Sequence, residues 1–207
     1  MQELNRFNAV SRWYDWLAGM IFGDAILNAQ LHLIMEIPPG AKVLILGGGT
    51  GKILPQLFRD CSEAEVWFID ASSEMIRRAA SRLRGSESIH FIHGTHRDIP
   101  QSSQFDVVVA CFFLDLFPLP DLKNVIESIS ANLKATGKLL VSDFVAETYW
   151  HEAMLAIMYQ FFSATSGLQN TTLPPWNDVL IQHGFSRLSE KNFYGGFIKS
   201  VCFGKSV

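Results

Sequence analysis

At 207 residues the chain has the length of one domain. Its 17 Lys and Arg against 20 Asp and Glu leave a net charge of −3, which provides no basic footprint for nucleic acid. Apolar residues make up 48% and charged residues 18%, which excludes a disordered class.

In chain order, the N-terminus lacks the basic patch and apolar stretch of a signal peptide. Phe7, Val10, Trp13, Tyr14, Leu17, Met20 and Ile21 recur at three- and four-residue spacing, which predicts a helix with one apolar face. Pro38-Pro39-Gly40 ends this preamble. Val43 to Leu46 then reads as a strand apolar on both faces, as in a parallel sheet covered by helices. Val66 to Ile69, Ile89 to Ile92, Val107 to Ala110 and Leu139 to Val141 predict four more strands. Between them, Met75, Ile76, Ala79, Ala80 and Leu83 mark the buried face of one helix. Leu122, Val125, Ile126, Ile129 and Leu133 mark that of another, and Thr136-Gly137 the turn after it. Alternating strands and helices imply right-handed crossovers and a parallel sheet.

The tail differs. Trp176 to Gln182 predicts a helix stopped by Gly184, and strands over Ser186–Phe193 and Phe197–Phe203 flank the turn Gly195-Gly196. A tight turn makes these two strands antiparallel. The fold class is therefore α/β, a doubly wound, Rossmann-like, mostly parallel seven-stranded sheet with helices on both faces and a C-terminal antiparallel hairpin. We expect a single domain: a helical cap over 1–40, a core over 41–145, a helical segment over 146–183 and the hairpin over 184–207.

Cys61, Cys111 and Cys202 are odd in number and form no CxxC pair, which fits free thiols in a reducing cytoplasm. The most apolar run, Ala153 to Leu168, is shorter than the ~20 residues a bilayer span requires. The expectation is a cytoplasmic protein without stable membrane insertion, a monomer or a homodimer.

The strongest chemical signal is Gly47-Gly48-Gly49-Thr50-Gly51, set between the first strand and the helix after it. Glycines there let the backbone turn sharply and approach a ligand in the crevice beyond the strand ends. A phosphate loop would need Gly at Leu46 and Ser or Thr at Ile53. The dinucleotide fingerprint would need Gly at Lys52. What remains is GxGxG at Gly47, Gly49 and Gly51, with Asp70 closing the second strand 19 residues later. A carboxylate at that strand end can accept both hydroxyls of a ribose. This is the layout of an S-adenosylmethionine site, which needs no pyrophosphate approach.

With these residues in place, the chain resembles the class I S-adenosylmethionine-dependent methyltransferases. It is most similar to the branch of ubiquinone/menaquinone-biosynthesis and small-molecule enzymes. The likeness runs from about Tyr14 to Lys205 and includes Val43–Gly51, Asp70 with Ser72–Met75, Phe91–Pro100, Phe105–Leu114 and Leu119–Phe144. It implies cofactor contacts at Tyr14, Gly47, Gly48, Gly49, Gly51, Asp70, Ala71, Met75, Thr95, His96, Ala110 and Cys111, with His96 acting through its backbone. It implies methyl transfer to a small acceptor with S-adenosylhomocysteine as product. Three positions depart from the family pattern: Ile45 and Thr95 where acids are usual, and Asp115 where a His is common. These departures keep a non-catalytic binder of the same ligands open, and the Leu-Ile-Leu-Gly-Gly-Gly run keeps an aminopropyltransferase-like enzyme open. A nicotinamide oxidoreductase is disfavoured by Lys52.

A sulfonium methyl is already activated, so alignment and water exclusion supply most of the catalysis. Asp115, Asp143, Tyr149 and His151 lie near the expected carboxyl edge as possible bases, and none is singled out. His90, His93 and His96 do not converge as metal ligands, because residues 90 and 93 of a strand face opposite ways. Arg77, Arg78, Arg82 and Arg84 predict a solvated helix face. Trp13, Tyr14 and Trp16, with the apolar stretch after Trp150, are expected to roof an apolar acceptor pocket.

Overall fold

The computed structural model describes residues 22–100, 104–156 and 173–206. The expected helix over Phe7 to Ile21, with Trp13, Tyr14 and Trp16, lies outside them, as does most of the stretch after Leu155. Helix α1 (Ala25–Ile34) precedes β1 (Lys42–Leu46), α2 (Leu54–Asp60), β2 (Glu65–Asp70), α3 (Ser73–Ala80), β3 (Ile89–His93) and β4 (Phe105–Cys111). Then come α4 (Leu119–Asn132), β5 (Leu133–Phe144), α5 (Trp176–Gln182), β6 (Phe185–Phe193) and β7 (Ile198–Lys205). A further helical segment spans 149–156.

The seven strands form one sheet in the order β3-β2-β1-β4-β5-β7-β6. The first five are parallel, and β7 inserts antiparallel between β5 and β6. Strand β1 is apolar throughout because both its faces are covered. Leu44 and Leu46 pack with Leu122, Val125 and Ile126 of α4 and with Trp176 of α5. Val43 and Ile45 pack with Leu33 and Ile34 of α1 and with Leu54 and Leu57 of α2. Each such side chain contributes roughly 1.5–3 kcal/mol of burial. The strand order reverses between β1 and β4, so a crevice opens at their carboxyl ends, where α/β sheets bind ligands.

Helix α5 stops at Gly184, whose φ of +81° is the left-handed conformation that glycine adopts without strain. Two helix expectations need correction. Leu133 does not continue α4: its N–H still donates to the Ile129 carbonyl, but its backbone is extended and pairs with Phe105. The helical period therefore runs one residue into the strand. The turn at Thr136-Gly137 is absorbed as an irregularity in β5, whose pairing with β4 jumps from Leu133 to Lys138. In α3, Ala79 alone is fully buried, Ala80 is exposed, and Leu83 packs against the core from beyond the helix end. No helix among the described residues is long and apolar enough to cross a membrane.

Candidate active site

The glycine turn follows β1 at the strand-order reversal. The Gly47 N–H still donates to the Ile69 carbonyl at 2.9 Å, so the turn starts from intact sheet. A methyl on Gly51 would fall 2.7 Å from the Ala79 Cβ and 2.8 Å from a Leu54 methyl, so this glycine lets α3 close on the turn. Gly49 is different. Its φ is +56°, and a Cβ there would meet nothing within 4 Å, so the turn presents bare backbone to open space. Arg82, expected on a solvated face, donates from Nε to the Thr50 carbonyl at 2.7 Å and braces the same turn. Arg77 and Arg78 pair with Glu74 on α3, as a surface face would.

Asp70 ends β2 beside this open side. Its Oδ2 accepts the Gly49 N–H and its Oδ1 the Ser72 N–H, both at 2.8 Å. Burial raises the carboxyl above its ordinary range, opposed by those two N–H donors and by His93. Each oxygen retains a second lone pair. Ser72 caps α3 by accepting the Met75 N–H at 3.3 Å, which sets Met75 on the first turn beside Asp70. The Ala71 carbonyl pairs with His93 Nε2 at 3.0 Å. Gly47, Gly48, Gly49, Gly51, Asp70, Ala71 and Met75 are thus brought together by one strand–turn–helix junction.

Thr95 and His96 behave otherwise than the family pattern suggests. The Thr95 N–H and hydroxyl both donate to Asp98 Oδ2, at 2.8 and 3.2 Å, and the hydroxyl accepts the Arg97 N–H, so that side chain is spent on a local cap. The His96 carbonyl accepts the Ser128 hydroxyl at 3.1 Å, which ties this backbone to α4. That ring stands edge-on to Phe117 at 5.7 Å, Phe117 contacts Phe113 at 5.0 Å, and Phe113 lies against Gly47. His96 Nδ1 is buried without a hydrogen-bond partner among the described residues. Burial, then the Arg97 charge, lowers the His96 pKa against the pull of Asp121 and Asp98, which keeps the ring neutral at physiological pH. This aromatic wall was not anticipated, because Phe113 and Phe117 sit in an apolar run without periodicity.

The far half of the crevice is lined by the ends of β4, β5 and β7. Ala110 and Cys111 are buried there, with Cys111 paired to Ser142 and its thiol pushed up to about 12 by burial. Phe112 has φ +51°, an uncommon conformation for an aromatic residue, and its ring contacts Phe144 at 5.0 Å. Phe144 in turn meets Phe22 and Phe197, and Trp150, His151 and Tyr194 extend the cluster. Beneath it, Asp143 is fully buried and accepts the N–H groups of Leu114, Asp115 and Phe144. Tyr14 lies outside the described residues. His90 pairs with Glu65, and no cluster among the described residues could hold a metal ion.

A bare-backbone turn, a strand-end carboxylate with lone pairs to spare and an orphaned imidazole nitrogen on an aromatic wall fit an adenosine moiety. Asp70 would take the ribose, and the wall of Phe113, Phe117 and His96 the base. Residues 43–137 match the methyltransferase domain family. The chain belongs to the class I S-adenosylmethionine-dependent methyltransferases. The chain is 31% identical over 143 residues to the demethylmenaquinone methyltransferase of Thermotoga maritima, covering 67% of this chain and 60% of that protein. It is 30% identical over 151 residues to a ubiquinone/menaquinone biosynthesis C-methyltransferase of Vibrio vulnificus, covering 67% and 55%. The chain therefore spans somewhat over half the length of these curated relatives. In fold it is similar to the Burkholderia thailandensis 1,6-didemethyltoxoflavin-N1-methyltransferase, solved with S-adenosylhomocysteine, at TM-score 0.70 and 15% identity over 100% of this chain and 89% of that one. It is also similar to a Haloferax volcanii putative methyltransferase solved with the activator Trm112, at TM-score 0.74 and 15% identity over 100% and 97%. The cofactor of the family is S-adenosylmethionine.

Proposed function

We propose that the methyltransferase moves the methyl group of S-adenosylmethionine to a small, partly apolar acceptor in a cytoplasmic setting. The observation that carries this reading is the Asp70 carboxylate, tied to the Gly49 and Ser72 N–H groups beside the open side of the glycine turn. S-adenosylmethionine supplies an activated sulfonium methyl for in-line displacement. Asp70 holds the ribose, while His96 and Phe117 bound the base. The Phe22, Phe112, Phe144 and Phe197 rings make the acceptor side apolar and keep water out, which strengthens every electrostatic interaction inside. The small-molecule names of the relatives support an acceptor of this size, and the ring-rich lining supports its apolar character. The aminopropyl reading is weaker, since the strand end at Ala110 and Cys111 carries no acid.

Thermal unfolding with S-adenosylmethionine, S-adenosylhomocysteine, the decarboxylated cofactor and NAD tests the assignment. A ligand at 100 times its Kd adds about 2.7 kcal/mol, roughly 5–11 °C for a domain of this size. We expect that shift with the first two alone. A shift with the decarboxylated form alone would transfer the chain to aminopropyl chemistry, and no shift would leave the crevice without its ligand.

A further inference from the structure

The first turn of α3 holds Met75 beside Asp70, whereas Arg78, Ser81 and Arg82 lie at the far end of that helix. Its 8 residues, at a rise of about 1.5 Å each, put the two ends roughly 12 Å apart. At the far end, Arg78, Ser81 and Arg82 line an open cavity of about 490 Å³ with Thr50 of the glycine turn and Pro55 of α2. That volume falls within the range of about 300–1,000 Å³ typical of small-molecule sites. Ser81 and Arg82 are exposed, so solvent reaches it freely. No carboxylate among the described residues lines it. Both guanidinium groups are anchored from one side. Arg82 Nε donates to the Thr50 carbonyl at 2.7 Å, and Arg78 Nε donates to Glu74 at 2.8 Å. The terminal nitrogens of both make no hydrogen bond among the described residues. Glu74 is shared with Arg77, and Arg82 has no acidic partner among the described residues, so positive charge is left over. Bare carbonyls at a helix C-terminus would repel an anion. Here the Arg77 carbonyl accepts the Ser81 N–H, the Arg78 carbonyl the Ser81 hydroxyl and the Ala79 carbonyl the Arg82 N–H.

Two sets of free guanidinium N–H groups beside one cavity suit an oxyanion. A carboxylate offers two oxygens, enough for one guanidinium, whereas a terminal phosphate offers three and a larger charge. The cavity is larger than a bare phosphate, and its wall is polar apart from Pro55. The patch is confined to one helix end of a chain with net charge −3, which is no track for a nucleic-acid backbone. We propose that this cavity is a second ligand site, which takes the phosphate group of a small phosphorylated molecule and steadies the glycine turn through Arg82. The terminal nitrogens of Arg78 and Arg82 hold the phosphate oxygens while Arg82 Nε stays on the Thr50 carbonyl. A guanidinium held on both sides restricts the turn to the shape in which Gly49 meets Asp70. Occupancy of the cavity therefore tightens cofactor binding, and by linkage the cofactor tightens the phosphate ligand by the same factor. The site is independent of which methyl acceptor the enzyme uses.

Calorimetry on the full chain with glucose 6-phosphate, inorganic phosphate and glucose, at constant ionic strength, tests the site. Glucose 6-phosphate should bind tightest, inorganic phosphate more weakly and glucose not at all. Arg78→Ala removes one guanidinium without touching the glycine turn, and should weaken glucose 6-phosphate about 10-fold or more. Pro55→Glu, which adds a carboxylate to the cavity wall at a helix N-terminus that tolerates one, should weaken it as well. Neither variant should change S-adenosylhomocysteine affinity by more than about 2-fold when phosphate is absent. In the wild type, glucose 6-phosphate should tighten S-adenosylhomocysteine about 5-fold, and Arg82→Ala should lose that gain. Absence of phosphate binding by the wild type, or glucose binding as tightly as its phosphate, would overturn the proposal. So would binding retained in both Arg78→Ala and Pro55→Glu, or S-adenosylhomocysteine affinity indifferent to the phosphate ester. A loss of S-adenosylhomocysteine affinity in Arg78→Ala without phosphate would place the cavity in the cofactor crevice and overturn it too.

Discussion

The two halves of the crevice are built from different materials. The half at β1, β2 and α3 is made largely of backbone: the Gly47–Gly51 turn, the Ser72 and Gly49 N–H groups and one carboxylate that joins them. The half at β4, β5 and β7 is made of side chains: Phe112, Phe144, Phe197 and Trp150, with the buried Asp143 and the partly buried Asp115 nearby. Backbone recognition constrains which residues are allowed, because few tolerate positive φ or close approach. Side-chain recognition constrains only shape and polarity, and many sequences satisfy both. Under the proposed methyl transfer, the first half would hold the ligand shared by the family and the second an acceptor particular to this chain.

The sharpest way to break this contrast is Asp70→Ala. It removes the one side chain on which the backbone half depends, and charge-assisted hydrogen bonds contribute about 1.5–3 kcal/mol each. Calorimetry should record a loss of roughly 100-fold or more in S-adenosylhomocysteine affinity, with Tm moved by only a few degrees. An unchanged affinity would mean that the carboxylate merely ties Gly49 to Ser72. Gly51→Ala comes next, since the added methyl collides with Ala79 and Leu54 in a left-handed conformation. Denaturant unfolding should show a loss of about 2–3 kcal/mol. Cofactor affinity, measured on the molecules still folded, should fall far less than for Asp70→Ala.

The smallest effect belongs to the side-chain half and is a dependence on pH. Asp115 titrates higher in the folded chain than in the unfolded one, so the folded state binds a proton that the unfolded state has lost. Stability from this group is complete below about pH 4 and declines as pH rises through about 7. Asp115→Asn should therefore be more stable than wild type at pH 8, by an amount on the order of 1 kcal/mol, with the gap closing toward pH 4. A variant less stable than wild type at pH 8 would show that the ionised carboxylate stabilises the fold.

The same contrast governs what the sequence discloses. The five parallel strands, the cap at Gly184 and the junction of Gly49 with Asp70 are legible because each rests on local period or local backbone chemistry. Leu133 misleads because its N–H completes a helical hydrogen bond while its dihedrals are already those of a strand. The side-chain half hides for a different reason. Asp115 and Asp143 are legible as acids near the carboxyl edge, but their proximity shows only once the parallel pairing of β4 with β5 brings their strand ends together. Phe113 and Phe117 look like core residues, and their role emerges only when the first lies against Gly47 and the second against His96. The Thr95 hydroxyl is accounted for only once Asp98 is seen to occupy it.

Cys61, Cys111 and Cys202 are all unpaired and buried, at 6%, 8% and 0% exposure. Each thiol is held in its neutral, unreactive form by burial. An alkylating reagent can therefore reach them only in molecules that have opened. Cys111 ends β4 at the crevice, whereas Cys202 lies at the middle of β7 with strands on both sides. The chain thus carries its own pair of clocks. One times the breathing of the ligand-binding edge, and the other times the loss of the sheet itself.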